Sequence, residues 1–253
     1  MSNILTAGHV LAQTDAAGIT TITFFHPSHN SLPSRVLNDL AQAITRAGQD
    51  EATKVIILKS EGERTFCAGA SFDELLTIET KAQGLEFFSG FARVINACRT
   101  APKIIIGRVQ GKAVGGGVGV AAATDYCFAT QHAAVKLSEL AVGIGPFVVG
   151  PAVERKIGTS AFQQLALDAG EFRSAAWAKE QGLYAEVVED LVALDAAVAT
   201  FAAKMAAYAP DALLAMKQVF WQGTEHWDAL LTERAGISGT LVLSDFTRRA
   251  LRK

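Results

Sequence analysis

Two glycine-bearing segments and one acidic residue in apolar company mark where this sequence could do chemistry. The first segment is Phe66-Cys67-Ala68-Gly69-Ala70-Ser71-Phe72-Asp73, which follows an apolar run at residues 54–59. The second covers residues 111–119, holds five glycines, follows another apolar run at 103–109 and opens a helix. Small residues after a strand let backbone N–H groups approach a ligand with no side chain in the way. A helix starting there adds unpaired N–H groups and a positive dipole end. Two such loops could aim one N–H each at a single oxygen, which is an oxyanion hole. The plainer reading is that the glycines serve tight turns and close helix packing. The third feature is Glu139, flanked by Leu137, Leu140, Ala141 and Val142. A carboxyl in such surroundings holds its proton more tightly and can act as general acid or base. Its alternative is an exposed acid at a strand end.

The elements that must position these residues are legible from periodicity. His9–Thr14 and Ile19–Phe25 alternate as a hairpin around Ala16-Ala17-Gly18, and residues 34–47 carry a helical stripe at Val36, Leu37, Leu40, Ala41 and Ile44. Residues 54–59 and 103–109 read as buried strands, 83–98 and 118–124 as helices, and 126–129 and 134–137 as short strands. From about residue 160 the strands are expected to stop, leaving helices at 160–169, 175–180, 194–208, 210–221 and 227–238. Strand–helix alternation followed by helices alone gives an α/β core, residues 1–194, and a helical C-terminal region, residues 195–253.

Composition and missing patterns exclude several classes. The chain has 253 residues, 50% hydrophobic and 19% charged, enough apolar content for a large core. A net charge of −2 gives no broad attraction to nucleic acid or anionic membrane. No apolar stretch reaches the roughly 18–20 residues of a spanning helix, and the N-terminus lacks a secretory pattern, so a cytoplasmic protein is expected. Cys67, Cys98 and Cys127 are far apart and read as buried thiols in a reducing compartment. There is no Gly-x-x-x-x-Gly-Lys-Ser/Thr, no Gly-x-Ser-x-Gly and no His-Glu-x-x-His, and His26 and His29 flank a proline turn as loop residues. Residues 117–122 fit Gly-x-Gly-x-x-Ala, but residues 111–114 intervene between strand and helix, unlike a dinucleotide fingerprint.

Taken together, these segments resemble the crotonase (enoyl-CoA hydratase/isomerase) family. The resemblance is carried by Asn30-Ser31-Leu32, the loop at 66–70, Pro102, Gly115-Gly116-Gly117, Asp125, Glu139, Gly158 and Ala178-x-x-x-Gly182-Leu183. It implies a crotonase-like ββα spiral core with a helical C-terminal oligomerisation region, a homotrimer or homohexamer, and an acyl-CoA thioester as substrate. The enolate oxygen would be held by N–H groups of Ala70 and Gly116, with Glu139 as acid and base. Ser28 and His29 would hold the CoA nucleotide, and Ala68, Ser71 and Phe72 would follow the pantetheine and thioester. No cofactor is implied beyond the coenzyme A carried by the substrate, and no metal.

Two departures bear on the reaction. Typical hydratases place a first glutamate two residues after the triple glycine, where this chain has Gly119. The run Gly143-Ile144-Gly145-Pro146-Phe147 lacks the usual Pro-Gly-x-Gly-Gly-Thr and looks closer to single-glutamate isomerases. Hydration of an enoyl-CoA, the family's commonest activity, stands first. Single-glutamate 3-enoyl-CoA to 2-enoyl-CoA isomerisation follows closely, and a non-catalytic CoA-thioester binding subunit is the reading from another class. Asp73 and Glu74 are the nearest alternatives for holding a water. The C-terminal apolar residues Phe201, Met205, Leu213, Leu214, Met216, Phe220, Leu230 and Leu231 exceed what one spiral needs, which is the residue-level ground for an oligomer.

Overall fold

A computed structural model describes residues 8–251. After the antiparallel strand β1 (His9–Thr14), four segments repeat one plan: a strand, a shorter strand, then a helix. They are β2 (Ile19–Phe25), β3 (Ser31–Leu32) and α1 (Ser34–Gln49); β4 (Val55–Ser60), β5 (Thr65–Cys67), β6 (Gly69–Ala70), α2 (Phe72–Leu76) and α3 (Lys81–Thr100); β7 (Ile104–Val109), β8 (Lys112–Val114) and α4 (Gly116–Ala123); and β9 (Tyr126–Thr130), β10 (Ala134–Lys136), a 3-10 turn (Glu139–Val142) and α5 (Gly150–Leu167). This is the ββα spiral that the resemblance implies.

The long strands and the three-residue β12 (Glu186–Val188) form one sheet in the order β1-β2-β4-β7-β9-β12, parallel from β2 onward. Strands buried on both faces read as near-continuous apolar runs, and β7 is buried along its whole length, its one charged residue, Arg108, paired with Asp195 at 2.7 Å. Alternation sorts its side chains. Ile56, Leu58 and Ile105 join the core under α1, α3 and α4, whereas Val55, Ile57, Ile104 and Ile106 pack with Leu194, Val198, Ala202 and Met205 of α7 (Leu191–Ala206). Residue 194 thus lies inside the helix that covers the sheet's second face.

The strands do not stop at residue 160. β11 (Arg173–Ser174) pairs with β10, and β12 (Glu186–Val188) adds a parallel edge to β9. Both are too short for alternation to register. Helix α4 begins at Gly116, two residues before the apolar run suggests, because Val118 N–H and Gly119 N–H already donate to Gly115 O. The remaining helices are α6 (Ala175–Glu180), α8 (Pro210–Phe220), α9 (Trp227–Leu241) and α10 (Asp245–Ala250). The three cysteines are free and buried, and burial pushes each thiol up to about 12.

A buried polar knot ties the C-terminal helices to the far end of α4. Asp125 Oδ2 accepts from Lys217 Nζ at 2.8 Å and Ile105 N–H at 2.7 Å, and its Oδ1 accepts from Trp221 Nε1 at 2.8 Å. Asp125 and Lys217 side chains are both 3% exposed. Gly84 of α3 and Gly239 of α9 meet backbone to backbone, with no room for a β-carbon at either. Of the C-terminal apolar residues, Met205 and Leu231 are buried, while Met216 and Phe220 of α8 stay exposed beside Val219.

Removing one partner of a sealed ion pair strands the other charge, at a cost of about 3–5 kcal/mol. Lys217→Met is therefore expected to lower stability by about that amount in urea denaturation. Glu86→Ala, at the more exposed pair with Arg93, should change it by less than about 1 kcal/mol. Equal small losses would show that the knot is not an anchor.

Candidate active site

The short strands β5, β8 and β10 run parallel and adjacent in a second sheet, ordered β11-β10-β8-β5. With neighbouring strands about 4.8 Å apart, their carboxyl ends deliver three loops side by side. Ala68 follows β5, Gly115 and Gly116 follow β8, and Glu139 follows β10. All line one cavity of about 520 Å³, together with Ala70 and Phe72. Gly69 brings the first loop against the second: a β-carbon there would stand 3.2 Å from Val114 O and 3.7 Å from Gly116 N. Gly116 is the first residue of α4, so its N–H has no acceptor within the helix and can donate to a ligand.

Glu139 opens the 3-10 turn with its carboxyl against Gly115. A β-carbon at Gly115 would stand 2.9 Å from Glu139 Oε1, and Gly115 has φ 53°, so glycine is required on both counts. Oε2 is shut off from solvent and has no hydrogen-bond partner among the described residues. Burial pushes the carboxyl up to about 7, opposed by a hydrogen bond from its own backbone N–H. The turn is held from behind by Phe246 and Thr247 of α10, which pack on Gly143 (φ 82°). A neighbouring tie, Gly115 N–H to Lys136 O at 2.8 Å, joins the two loops. A carboxyl half-protonated near neutral pH suits either direction of proton transfer.

Much of the remaining wall is apolar, with Phe87, Phe88 and Phe91 of α3, Val148 and Val149 ahead of α5, and Leu251, beside the hydroxyl-bearing Ser31, Ser138 and Ser238. Glu139 and Lys136 are the charged residues that line it among the described residues. The position two residues after the triple glycine, Gly119, is filled from outside. A β-carbon at Gly119 would stand 2.5 Å from Val149 Cγ1 and 2.7 Å from its Cβ. No side chain fits at Gly119 unless Val149 moves.

Other expected residues fall elsewhere. Ser71 is buried beneath the cavity wall, where its Oγ caps α2 by accepting from Glu74 N–H. Ser28 and His29 are exposed in the β2–β3 loop, outside the cavity lining, and His29 has φ 55°. Asn30 staples that loop: its Oδ1 accepts from His26 N–H and its Nδ2 donates to Glu61 O and Thr65 O. Glu74 is engaged by Ser34, through both N–H and Oγ, and Asp73 is exposed, so neither lines the cavity. The phenylalanines of α3 and Val149 were not singled out from sequence. The first sit on a helical stripe that reads as core, and nothing local links Val149 to a glycine thirty residues earlier.

Comparison with known proteins identifies the family and the fold. Residues 14–241 match the sequence family described as Enoyl-CoA hydratase/isomerase. A Bacillus subtilis protein named "Probable enoyl-CoA hydratase" is 28% identical over 204 residues, 80% of this chain and 78% of that protein. The human mitochondrial methylglutaconyl-CoA hydratase is 32% identical over 169 residues, 66% of this chain but 49% of that protein. A crystal structure of an enoyl-CoA hydratase from Mycobacterium avium superposes with a TM-score of 0.85 at 26% identity, covering 96% of this chain and 94% of the other. The chain belongs to the enoyl-CoA hydratase/isomerase family, the crotonase superfamily, whose reactions are those of CoA thioesters.

Proposed function

We propose that this enzyme moves a carbon–carbon double bond in an acyl-CoA thioester from the 3,4 to the 2,3 position, with Glu139 as its one proton carrier. The observation that carries this reading is the lining of the cavity. Among the described residues it has a single carboxylate, sealed and unpartnered at Oε2, and Val149 fills the place where a second could stand. A proton shuttle between two carbons needs one carboxyl and no positioned water.

In this reading the substrate's thioester oxygen accepts from the N–H groups of Ala70 and Gly116. Ionised Glu139 takes a proton from C2, and the C–H electron pair spreads as a dienolate over C2, C3, C4 and the oxygen. The same carboxyl returns the proton to C4, leaving a 2,3 double bond and restoring the carbonyl. Nothing is oxidised or reduced, so the coenzyme A of the substrate suffices as carrier. Ala68, Ser71 and Phe72 flank the pantetheine path, with Ser71 acting by fixing α2, and Ser28 and His29 meet the nucleotide at the surface. Hydration of a 2-enoyl-CoA is the second reading, favoured by the names of the relatives. Self-association through α8, as a trimer or hexamer, would cover Met216, Val219 and Phe220.

Matched 3-enoyl-CoA and 2-enoyl-CoA substrates separate the readings. Conversion of the first without 3-hydroxyacyl-CoA is expected; rapid hydration of the second would favour the alternative, and binding without turnover would reduce the chain to a binding subunit. Glu139→Gln should lower kcat by about 100- to 10,000-fold while the acyl-CoA dissociation constant stays within about twofold of wild type. The base works ionised, so kcat/KM should rise with pH and level off above about 7. The same shift has a sign for stability. Folding favours the protonated form, so that contribution is full below the ordinary value of 4.5 and is lost as pH rises through about 7. Glu139→Gln should therefore match wild type in denaturation at pH 4 and exceed it at pH 8. Val219→Lys is expected to shift sedimentation toward monomer.

A further inference from the structure

We infer that Val149, seated on Gly119, is the positioning residue that keeps water away from Glu139 and so commits the carboxyl's proton to carbon. The inference rests on the proposed function and adds to it the residue that decides between the two reactions.

Gly115 precedes α4 and Gly119 lies within it, and Gly119 N–H donates to Gly115 O at 3.4 Å, so the two glycines stand one turn apart at the helix start. Glu139 Oε1 covers the first glycine and Val149 Cγ1 covers the second, at 2.9 and 2.5 Å from where β-carbons would be. The carboxyl and the valine thus each cover one of these two glycines, and both line the cavity. Val149 is 3% exposed, and the next atom over Gly119 is Ile95 Cδ1 at 3.5 Å, so the atoms seated over Gly119 offer water no polar partner. A water needs two to four such partners to stay.

Val149 is also held rigidly. It is the residue before α5, its carbonyl accepts from Val153 N–H, and Gly150 N–H donates to Pro146 O. A β-branched side chain on a fixed backbone has few rotamers to escape into. Every element against the carboxyl bears on its titration. The β8–α4 turn presents glycines, α3 presents Phe91, α10 presents Phe246 and Thr247 behind the turn, and Lys136 is the other charged group of the lining. The dryness set by Val149 is thus the adjustable part of the environment that raises the Glu139 carboxyl.

Val149→Thr exchanges a methyl for a hydroxyl at nearly constant size, and Val149→Ala opens space instead. In both, the ratio of 3-hydroxyacyl-CoA to isomerised product should rise at least about tenfold, and the acidic limb of kcat/KM should move to lower pH. A merely structural role would lower turnover and leave ratio and limb unchanged. Titration of the Glu139 carbonyl stretch by infrared difference spectroscopy, with Glu139→Gln as the blank, reads the same effect without substrate. A lower midpoint in folded Val149→Thr upholds the inference even where the isomerase reading fails. An unchanged midpoint and an unchanged product ratio in both folded variants overturn it, whichever reaction the wild type performs.

Discussion

A carboxyl group pressed against a glycine at the start of a helix is the contact on which this cavity depends. It exists because position 115 has no side chain, because its backbone takes a left-handed φ, and because a separate strand delivers Glu139 to that spot. Shutting Oε2 of that carboxyl off from water with no hydrogen-bond partner costs free energy. The group answers by holding its proton up to about pH 7. The burial penalty is also what would fit the group to its proposed role, since a carboxyl raised toward neutrality can both take and return a proton.

The rest of the spiral keeps the two ends of α4 in place. At its start, the parallel ends of β5, β8 and β10 fix the spacing of three loops to that of a sheet, which is stiffer than any loop. Beyond its end, Asp125 is locked by Lys217 and Trp221 from the last third of the chain. The C-terminal helices thus do two jobs within one chain. Helix α7 closes the second face of the large sheet, and α10 braces the turn that carries Glu139. The family's reaction range, from hydration to isomerisation, can then rest on side chains over the α4 glycines with the scaffold unchanged.

Much of this was legible in the sequence, for physical reasons. Glycine loops after apolar strands and an acid among leucines and valines are local signals, and each of the chief candidates Ala70, Gly116 and Glu139 lines the cavity. What stayed hidden depends on contacts distant in sequence or on elements too short to show a period. Glu186–Val188 carries three residues and could not reveal that it closes the sheet against β9. Phe87, Phe88 and Phe91 share a helical face with core residues, so periodicity cannot tell a cavity wall from a core. The vacancy at Gly119 was visible, but its filling by Val149 is a tertiary fact.

In the proposed reaction one carboxyl, that of Glu139, carries one proton between two carbons. The most direct measurement is the fate of deuterium placed on both C2 positions of a 3-enoyl-CoA and traced in the 2-enoyl-CoA product during a single turnover. In a site that shields its acid from solvent exchange, deuterium should appear at C4 in a substantial share of the product. Product carrying solvent hydrogen alone at C4, formed at undiminished rate when Glu139 is replaced by glutamine, would contradict it.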